Sequence, residues 1–321
     1  MANNNIKLIS HQDIKALNIT PLQCVKWVEE SFRIKYDSTL PPKVTIHPQN
    51  DDFFNAMPCL LPSSYERYSI KVVHRIEGAT PALGSDIMLY NSKNGQLMAI
   101  IDGDWITTMR TGAVTALAAR LFKSSNVNTY SIVGLGNTAR ASALCLAADN
   151  ADTPIKFRLK RYKDQAEIFI DRMQNLKNVS WEIIDDMETF IGDADVIISC
   201  VTSAGDMLFS EDEKNYKKGV LVLPVHSRGF QNCDTTFDKV FADDRSHVAG
   251  FRYFNQFKHF DELSHVLLGD TIGRENDEER ILAYNVGLGL HDALYASKIY
   301  DMKAESTASF EQIKENRKFW V

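Results

Sequence analysis

Two stretches of this chain hold residue types whose spacing suits chemistry. In the first, Gly134-Leu-Gly136-Asn137-Thr138-Ala139 follows an apolar run, residues 130–133, and leads into a helix-compatible run, residues 139–148. Gly134 permits a tight turn, and Gly136 lets the backbone approach a pyrophosphate. The small Ala139 lets the helix pack on the strand with its N-terminus facing the anion. A lone G-x-G-x-x-A pattern also fits an ordinary strand–turn–helix corner; the strand-like residues 154–160 that follow favour the dinucleotide reading. In the second stretch, Thr107-Thr-Met-Arg110-Thr111-Gly112-Ala113 precedes a small-residue run ending at Phe122. An arginine on a loop at a helix start can clamp a carboxylate with its planar fork. Thr111 and Gly112 can offer hydroxyl and N–H groups to a phosphate at the same place. The same residues equally fit a surface arginine beside a threonine N-cap. Lys71, inside Ser69-Ile-Lys71-Val-Val, is a third candidate. A cation buried there needs an anion, whereas a half-exposed strand would turn it to solvent.

The elements that must position these residues divide the chain in two. Up to about residue 119, a helix (residues 21–35) mixes with strand-like segments. Residues 86–90 and 97–101 flank Asn91-Ser-Lys-Asn-Gly95, which reads as a hairpin turn. From residue 127, strand candidates at 130–133, 155–159, 179–184, 196–200, 220–224 and 240–241 alternate with helical runs, notably 164–176. That alternation predicts an α/β fold, a Rossmann-type doubly wound parallel sheet with helices on both faces, beside an α+β domain. Residues 278–300 read as one long helix-compatible run passing back to the first domain. The expected division is 1–122 with 301–321, and 123–300.

Bulk properties exclude several classes. With 321 residues there is core enough for two domains, and a net charge of −6 leaves no basic excess for nucleic acid. No apolar run approaches the roughly 20 residues that span a bilayer. The N-terminal Met-Ala-Asn-Asn-Asn-Ile-Lys lacks a secretory core, so a soluble, cytoplasmic protein with no membrane partner is expected. Five scattered cysteines form no C-x-x-C pair, and eight histidines lack ligand-type spacing, so no metal site is expected.

Taken in order, the motifs resemble the ornithine cyclodeaminase/mu-crystallin family of nicotinamide-dependent enzymes, from Met57-Pro58 to Gly273-Arg274-Glu275. Ile70-Lys71-Val72 resembles its lysine strand, and Arg110-Thr111-Gly112-Ala113 through Ala118-Ala119 its R-T-A-A…SALAA segment. Gly134-Leu-Gly136-Asn-Thr-Ala139 matches its dinucleotide turn. Asp195-Val-Ile-Ile-Ser-Cys200-Val-Thr202-Ser203 is similar to its D-I-V-x-x-A-T-x-S strand, which adds Thr202 and Ser203 to the cofactor contacts. The resemblance implies hydride transfer between a nicotinamide and the Cα of an amino or imino acid. Arg110 and Lys71 would hold the substrate carboxylate, and Lys71 could also polarise the C–N centre. It also implies a homodimer, with the first domain binding substrate and forming the dimer.

Departures from the family pattern shift the expected substrate. In Pro224-Val-His226-Ser-Arg228-Gly-Phe-Gln-Asn-Cys-Asp234, counting back from Asp234 puts His226 where the family's G-A-D-x-P-G-x-x-E-L-D carries an acid/base aspartate. A histidine there can serve as acid/base near neutral pH; it also fits a hydrogen-bonded strand-end residue. Asn55 stands in place of a glutamate and Lys43 in place of an arginine, which keeps the charge but loses the bidentate fork. Two carboxylates suited to a distal ammonium are thus missing, and Arg75 and Arg228 could admit an anionic side chain. The second strand of the dinucleotide domain ends in Arg158-Leu-Lys160-Arg161, with no acid before Asp164, which favours NADP(H) over NAD(H). The expected function is an NAD(P)-dependent oxidoreductase acting on a C–N bond. The alternatives are an ornithine cyclodeaminase recycling NAD and a non-catalytic NADPH-dependent binding protein.

Overall fold

A computed structural model describes residues 5–125, 127–201, 209–226, 231–303 and 308–312. Thr202, Ser203 and Arg228 lie outside the described residues. From the N-terminus come β1 (Asn5–Ile9), α1 (His11–Ala16), α2 (Pro21–Arg33), β2 (Val44–Ile46), β3 (Phe53–Leu60) and β4 (Arg67–Arg75). Next are β5 (Leu83–Asn91), β6 (Leu97–Asp102), α3 (Asp104–Phe122), β7 (Thr129–Val133), α4 (Asn137–Asp149) and β8 (Ile155–Lys160). Then follow α5 (Gln165–Met173), β9 (Val179–Ile184), α6 (Met187–Gly192), β10 (Val196–Ser199), β11 (Leu221–Pro224) and β12 (Lys239–Ala242). The chain continues through α7 (Arg245–Val248), β13 (Phe260–Glu262), α8 (Leu263–Leu268), β14 (Ile281–Tyr284), α9 (Gly289–Met302) and β15 (Ala308–Glu311).

These elements form two units: Met1–Ile19, Ile34–Thr107 and Gly289–Val321 make the first, Thr20–Arg33 and Thr108–Leu288 the second. In the first, one sheet runs β15-β1-β6-β5-β4-β3-β2. Along β4, Ser69, Lys71 and Val73 are buried while the residues between them are only partly so, the alternation of a sheet with one face covered. The cover is α9, packed on β3, β4 and β5. The expected β5–β6 hairpin is present, its turn held by Asn91, whose side chain accepts from the backbone N–H of Lys93 and Asn94.

In the second unit the sheet runs β13-β12-β14-β11-β10-β7-β8-β9, with every pairing parallel. Its central strands are buried throughout, which is why β10 and β11 read as unbroken apolar runs. Strand order reverses between β7 and β10, and in open α/β sheets ligands bind beyond the carboxyl ends of the strands at such a reversal. The expected doubly wound architecture is therefore observed.

Three expectations need correction. Helix α3 begins at Asp104, which supplies its first-turn acid, rather than at the small-residue run after Arg110. Arg110 is thus inside α3 rather than on a loop before it, and Thr111 lies in the helix interior, its carbonyl accepting from Thr115 Oγ1. Residues 278–300 are not one helix: Ile281–Tyr284 inserts as β14 between β11 and β12, and α9 starts only at Gly289. A four-residue apolar run buried on both faces cannot be told from helix by periodicity. The division of the chain also differs. Helix α2 goes with the second unit because it packs on α4 and α8, and α9 goes with the first because it covers that sheet.

Candidate active site

On the covered face of the first unit's sheet, Lys71 is wholly buried, flanked in register by Met57 of β3 and Ile87 of β5. Its Nζ stands 2.6 Å from Asp292 Oδ2 on α9 and donates to Thr107 Oγ1 at 3.3 Å. Thr107 meets Ser85 Oγ at 3.0 Å, and Asp104 Oδ1 accepts from the Ser85 backbone at 2.6 Å. A buried ammonium is tolerable only with such a counter-charge and hydrogen bonds. The burial and the negative charge of Asp292 together push the nearby Cys59 thiol up to about 12. Asn55 pairs in register with Val73, and Arg75 is four residues along β4 from Lys71, so the strand alternation puts both on Lys71's face. Lys43 directly precedes β2 and is half-buried. Asp292, Thr107, Ser85 and Asp104 were not expected from sequence. The available signal for Asp292 was an acid inside the apolar stretch Leu290–Leu294.

In the second unit, the glycine turn has the anticipated shape. Gly134 has φ +83°, and a Cβ there would lie 2.6 Å from the Cys200 carbonyl carbon and the Val201 nitrogen. Gly136 caps α4 with no side-chain hydrogen bond, and among the described residues a Cβ on it would meet nothing within 4 Å. The N-terminus of α4, with Asn137 and Thr138 in its first turn and Ala139 buried behind them, therefore leaves backbone donors facing open space. A second indication lies at the carboxyl end of β14. Asn285 is buried, and neither its amide oxygen nor its amide nitrogen has a hydrogen-bond partner among the described residues. An open glycine turn and an orphaned donor–acceptor amide on one sheet fit a dinucleotide bearing a carboxamide.

Around that sheet edge, His226 Nε2 lies 2.7 Å from Ser199 Oγ, the last residue of β10. Arg110 is buried, its guanidinium seated on Gly287. Gly112 abuts the backbone of Ala141, which explains its lack of a side chain by helix packing rather than by anion binding. Lys160 donates to the Asp185 carbonyl at 2.9 Å, while Arg161 is bridged to both Asp185 and Glu167. The basic strand end thus carries acidic partners that sequence order concealed. Arg274 donates to the Phe122 and Gly219 carbonyls at 2.7 and 3.0 Å, a structural tie. Among the described residues no helix is long and apolar enough to cross a membrane.

Comparison with known proteins gives a consistent answer. The sequence model of the ornithine cyclodeaminase/mu-crystallin family matches residues 5–307. The nodulation efficiency protein NfeD of Rhizobium meliloti is 26% identical over 312 residues, 92% of this chain and 95% of that protein. A Delta(1)-pyrroline-2-carboxylate reductase of Bacillus thuringiensis subsp. konkukian is 26% identical over 233 residues, 68% of this chain and 71% of that protein. The solved structure of Thermococcus litoralis Delta(1)-pyrroline-2-carboxylate reductase, in complex with NADH and L-proline, matches with a TM-score of 0.83. Its identity is 21%, over 93% of this chain and 98% of that one.

Proposed function

The chain belongs to the ornithine cyclodeaminase/mu-crystallin family, and from that membership we infer a nicotinamide-dependent oxidoreductase acting on the C–N bond of an α-amino or cyclic imino acid. The observation that carries this reading is the wholly buried Lys71, held between Asp292 and Thr107 on the covered face of its sheet. The pyrroline-carboxylate reductase among its relatives supports the substrate class. Reduction or oxidation of an amino or imino acid is favoured over ornithine cyclisation, because Asn55 and His226 replace the carboxylates that a distal ammonium would need.

When bound, the nicotinamide supplies the hydride. Gly134, Gly136, Asn137, Thr138 and Ala139 would seat the pyrophosphate, and the Asn285 amide would meet the carboxamide; Thr111, Thr202 and Ser203 complete the proposed cofactor contacts. Arg110 and Lys71 would hold the substrate carboxylate, with Lys43, Asn55, Arg75 and Arg228 facing the rest of the substrate. His226, fixed through Ser199, would give the nitrogen the proton it takes up as its carbon is reduced. NADP(H) is preferred over NAD(H) on the basic strand end at Lys160 and Arg161, where a 2′-phosphate would have to displace Asp185 and Glu167 from Arg161. The working state is a homodimer, as the family resemblance implies.

The test follows the absorbance of NADPH and NADH with pyrroline and piperideine carboxylates, and assays ammonia from ornithine plus NAD+. Oxidation of reduced cofactor, faster with NADPH, is expected. His226→Ala should lose about 10²–10⁴ in kcat with cofactor affinity unchanged. Proline and ammonia from ornithine without net NADH would overturn the reading, as would tight NADPH binding with no turnover on any imine.

A further inference from the structure

The glycine at 287 differs from Gly134 and Gly112 in what crowds it. At Gly134 and Gly112 a Cβ would strike backbone. At Gly287 it would strike the far end of one side chain: Arg110 Cζ at 2.8 Å, Nη2 at 2.9 Å, and Nη1 closer still. The backbone there has φ +99°, and the Gly287 N–H donates to Asp243 Oδ2 at 2.5 Å. Asp243 is itself wholly buried; its backbone N–H donates to the Tyr284 carbonyl at 3.0 Å, and its Oδ1 lies 3.1 Å from His247 Nδ1. The bend after β14 is therefore pinned from two sides, and its bare Cα forms the floor on which the Arg110 guanidinium lies.

We propose that Gly287 is a positioning residue for Arg110: the missing side chain, held in place by Asp243, sets where the guanidinium fork meets the substrate carboxylate. This rests on the reading that Arg110 binds that carboxylate. A rigid, preformed fork loses little freedom on binding, so a small displacement of its seat weakens bidentate recognition. Because the colliding atoms end a flexible side chain, a methyl at 287 displaces the guanidinium in addition to the backbone strain a side chain meets at φ +99°.

The experiment measures, by calorimetry, the affinity of pyrrole-2-carboxylate, a planar carboxylate analogue of the imine. Wild type, Arg110→Ala, Gly287→Ala and the double variant are compared, each saturated with NADPH, whose own Kd is followed by fluorescence. Each single variant is expected to weaken the analogue at least about tenfold. The second change in the double variant should add less than about twofold, since both act through one contact. In turnover, Gly287→Ala should raise KM for the imine while kcat and the NADPH Kd stay within about threefold. Asp243→Ala should reproduce the rise in KM, and Asp243→Asn, which keeps an acceptor for the Gly287 N–H, should restore it. These two variants keep the inference testable should Gly287→Ala fail to fold. Multiplicative losses in the double variant, or an equal loss of NADPH affinity, would reduce Gly287 to a strained bend and overturn the inference. An Arg110→Ala variant that binds the analogue normally would instead overturn the carboxylate reading beneath it.

Discussion

Asp292 in the first unit and Asp234 in the second are both wholly buried carboxylates, and the two are kept in opposite ways. In the first, Asp292 faces Lys71 across 2.6 Å, an ammonium buried as fully as itself. In the second, Asp234 accepts a hydrogen bond from the Tyr284 hydroxyl, and its other oxygen has no hydrogen-bond partner among the described residues. Burial raises the Asp234 pKa to about 7, and the Tyr284 hydrogen bond pulls only partly against it. Charge survives burial where a counter-charge is supplied; where it is not, the group keeps its proton. A fixed ion is therefore available on the first unit's sheet face, where substrate chemistry is proposed. Asp234 is an ordinary hydrogen-bonding core residue.

The largest expected effect tests the paired side. Asp292→Asn leaves the Lys71 ammonium without its counter-charge and should cost about 3–5 kcal/mol of stability. Replacing both residues by apolar ones of similar size, Lys71→Met with Asp292→Leu, should recover most of that loss, because the desolvation of both charges disappears together. Urea unfolding of wild type, Lys71→Met, Asp292→Leu and the variant carrying both reads the coupling directly. Additive losses would mean that the two groups do not depend on one another, and the contrast with Asp234 would collapse.

A second, smaller effect separates filled from open space within the glycine turn. Gly134→Ala forces a left-handed residue against the backbone of Cys200 and Val201 and should cost roughly 2 kcal/mol or more. Two residues on, Gly136→Ala meets nothing within 4 Å among the described residues and should change stability by less than about 1 kcal/mol. It should nevertheless weaken the reduced cofactor at least about tenfold by intruding where the pyrophosphate approaches. Thermal unfolding and cofactor titration of both variants check this. Equal cofactor affinity in Gly136→Ala and wild type would remove the turn from the cofactor site.

What sequence revealed and concealed follows the same physics. The strands β7, β10 and β11 were legible because burial on both faces demands unbroken apolar runs, and the turn after β7 because only glycine tolerates its geometry. Lys71 stood out as a cation between the apolar Ile70 and Val72 of β4. Its partner Asp292 did not, since nothing local ties α9 to β4; only the packed sheet brings them together. Thr107 and Ser85 are unremarkable hydroxyls until α3 starts at Asp104 and the β4–β5 register sets Ser85 opposite Val73. The basic run at Lys160 and Arg161 was read without Asp185, which arrives only after the next strand has folded alongside.

The smallest effect per step, and the one that most sharpens the comparison, is the pH dependence of Asp234. Its ordinary value is 3.8 and its folded value about 7, so between these the folded state holds a proton that the unfolded chain has released. Stability is then complete below about pH 4 and falls as pH rises toward 7, by up to about 1.4 kcal/mol per pH unit from this group. Unfolding free energies from pH 4.5 to 7.5 for wild type and Asp234→Asn separate the group from the background of other carboxylates. Asparagine keeps an acceptor for Tyr284 and cannot titrate, so the difference between the two curves should shrink steadily toward low pH. A difference independent of pH would mean that Asp234 is charged in the fold, and that the second unit balances its buried carboxylate by some means other than a proton.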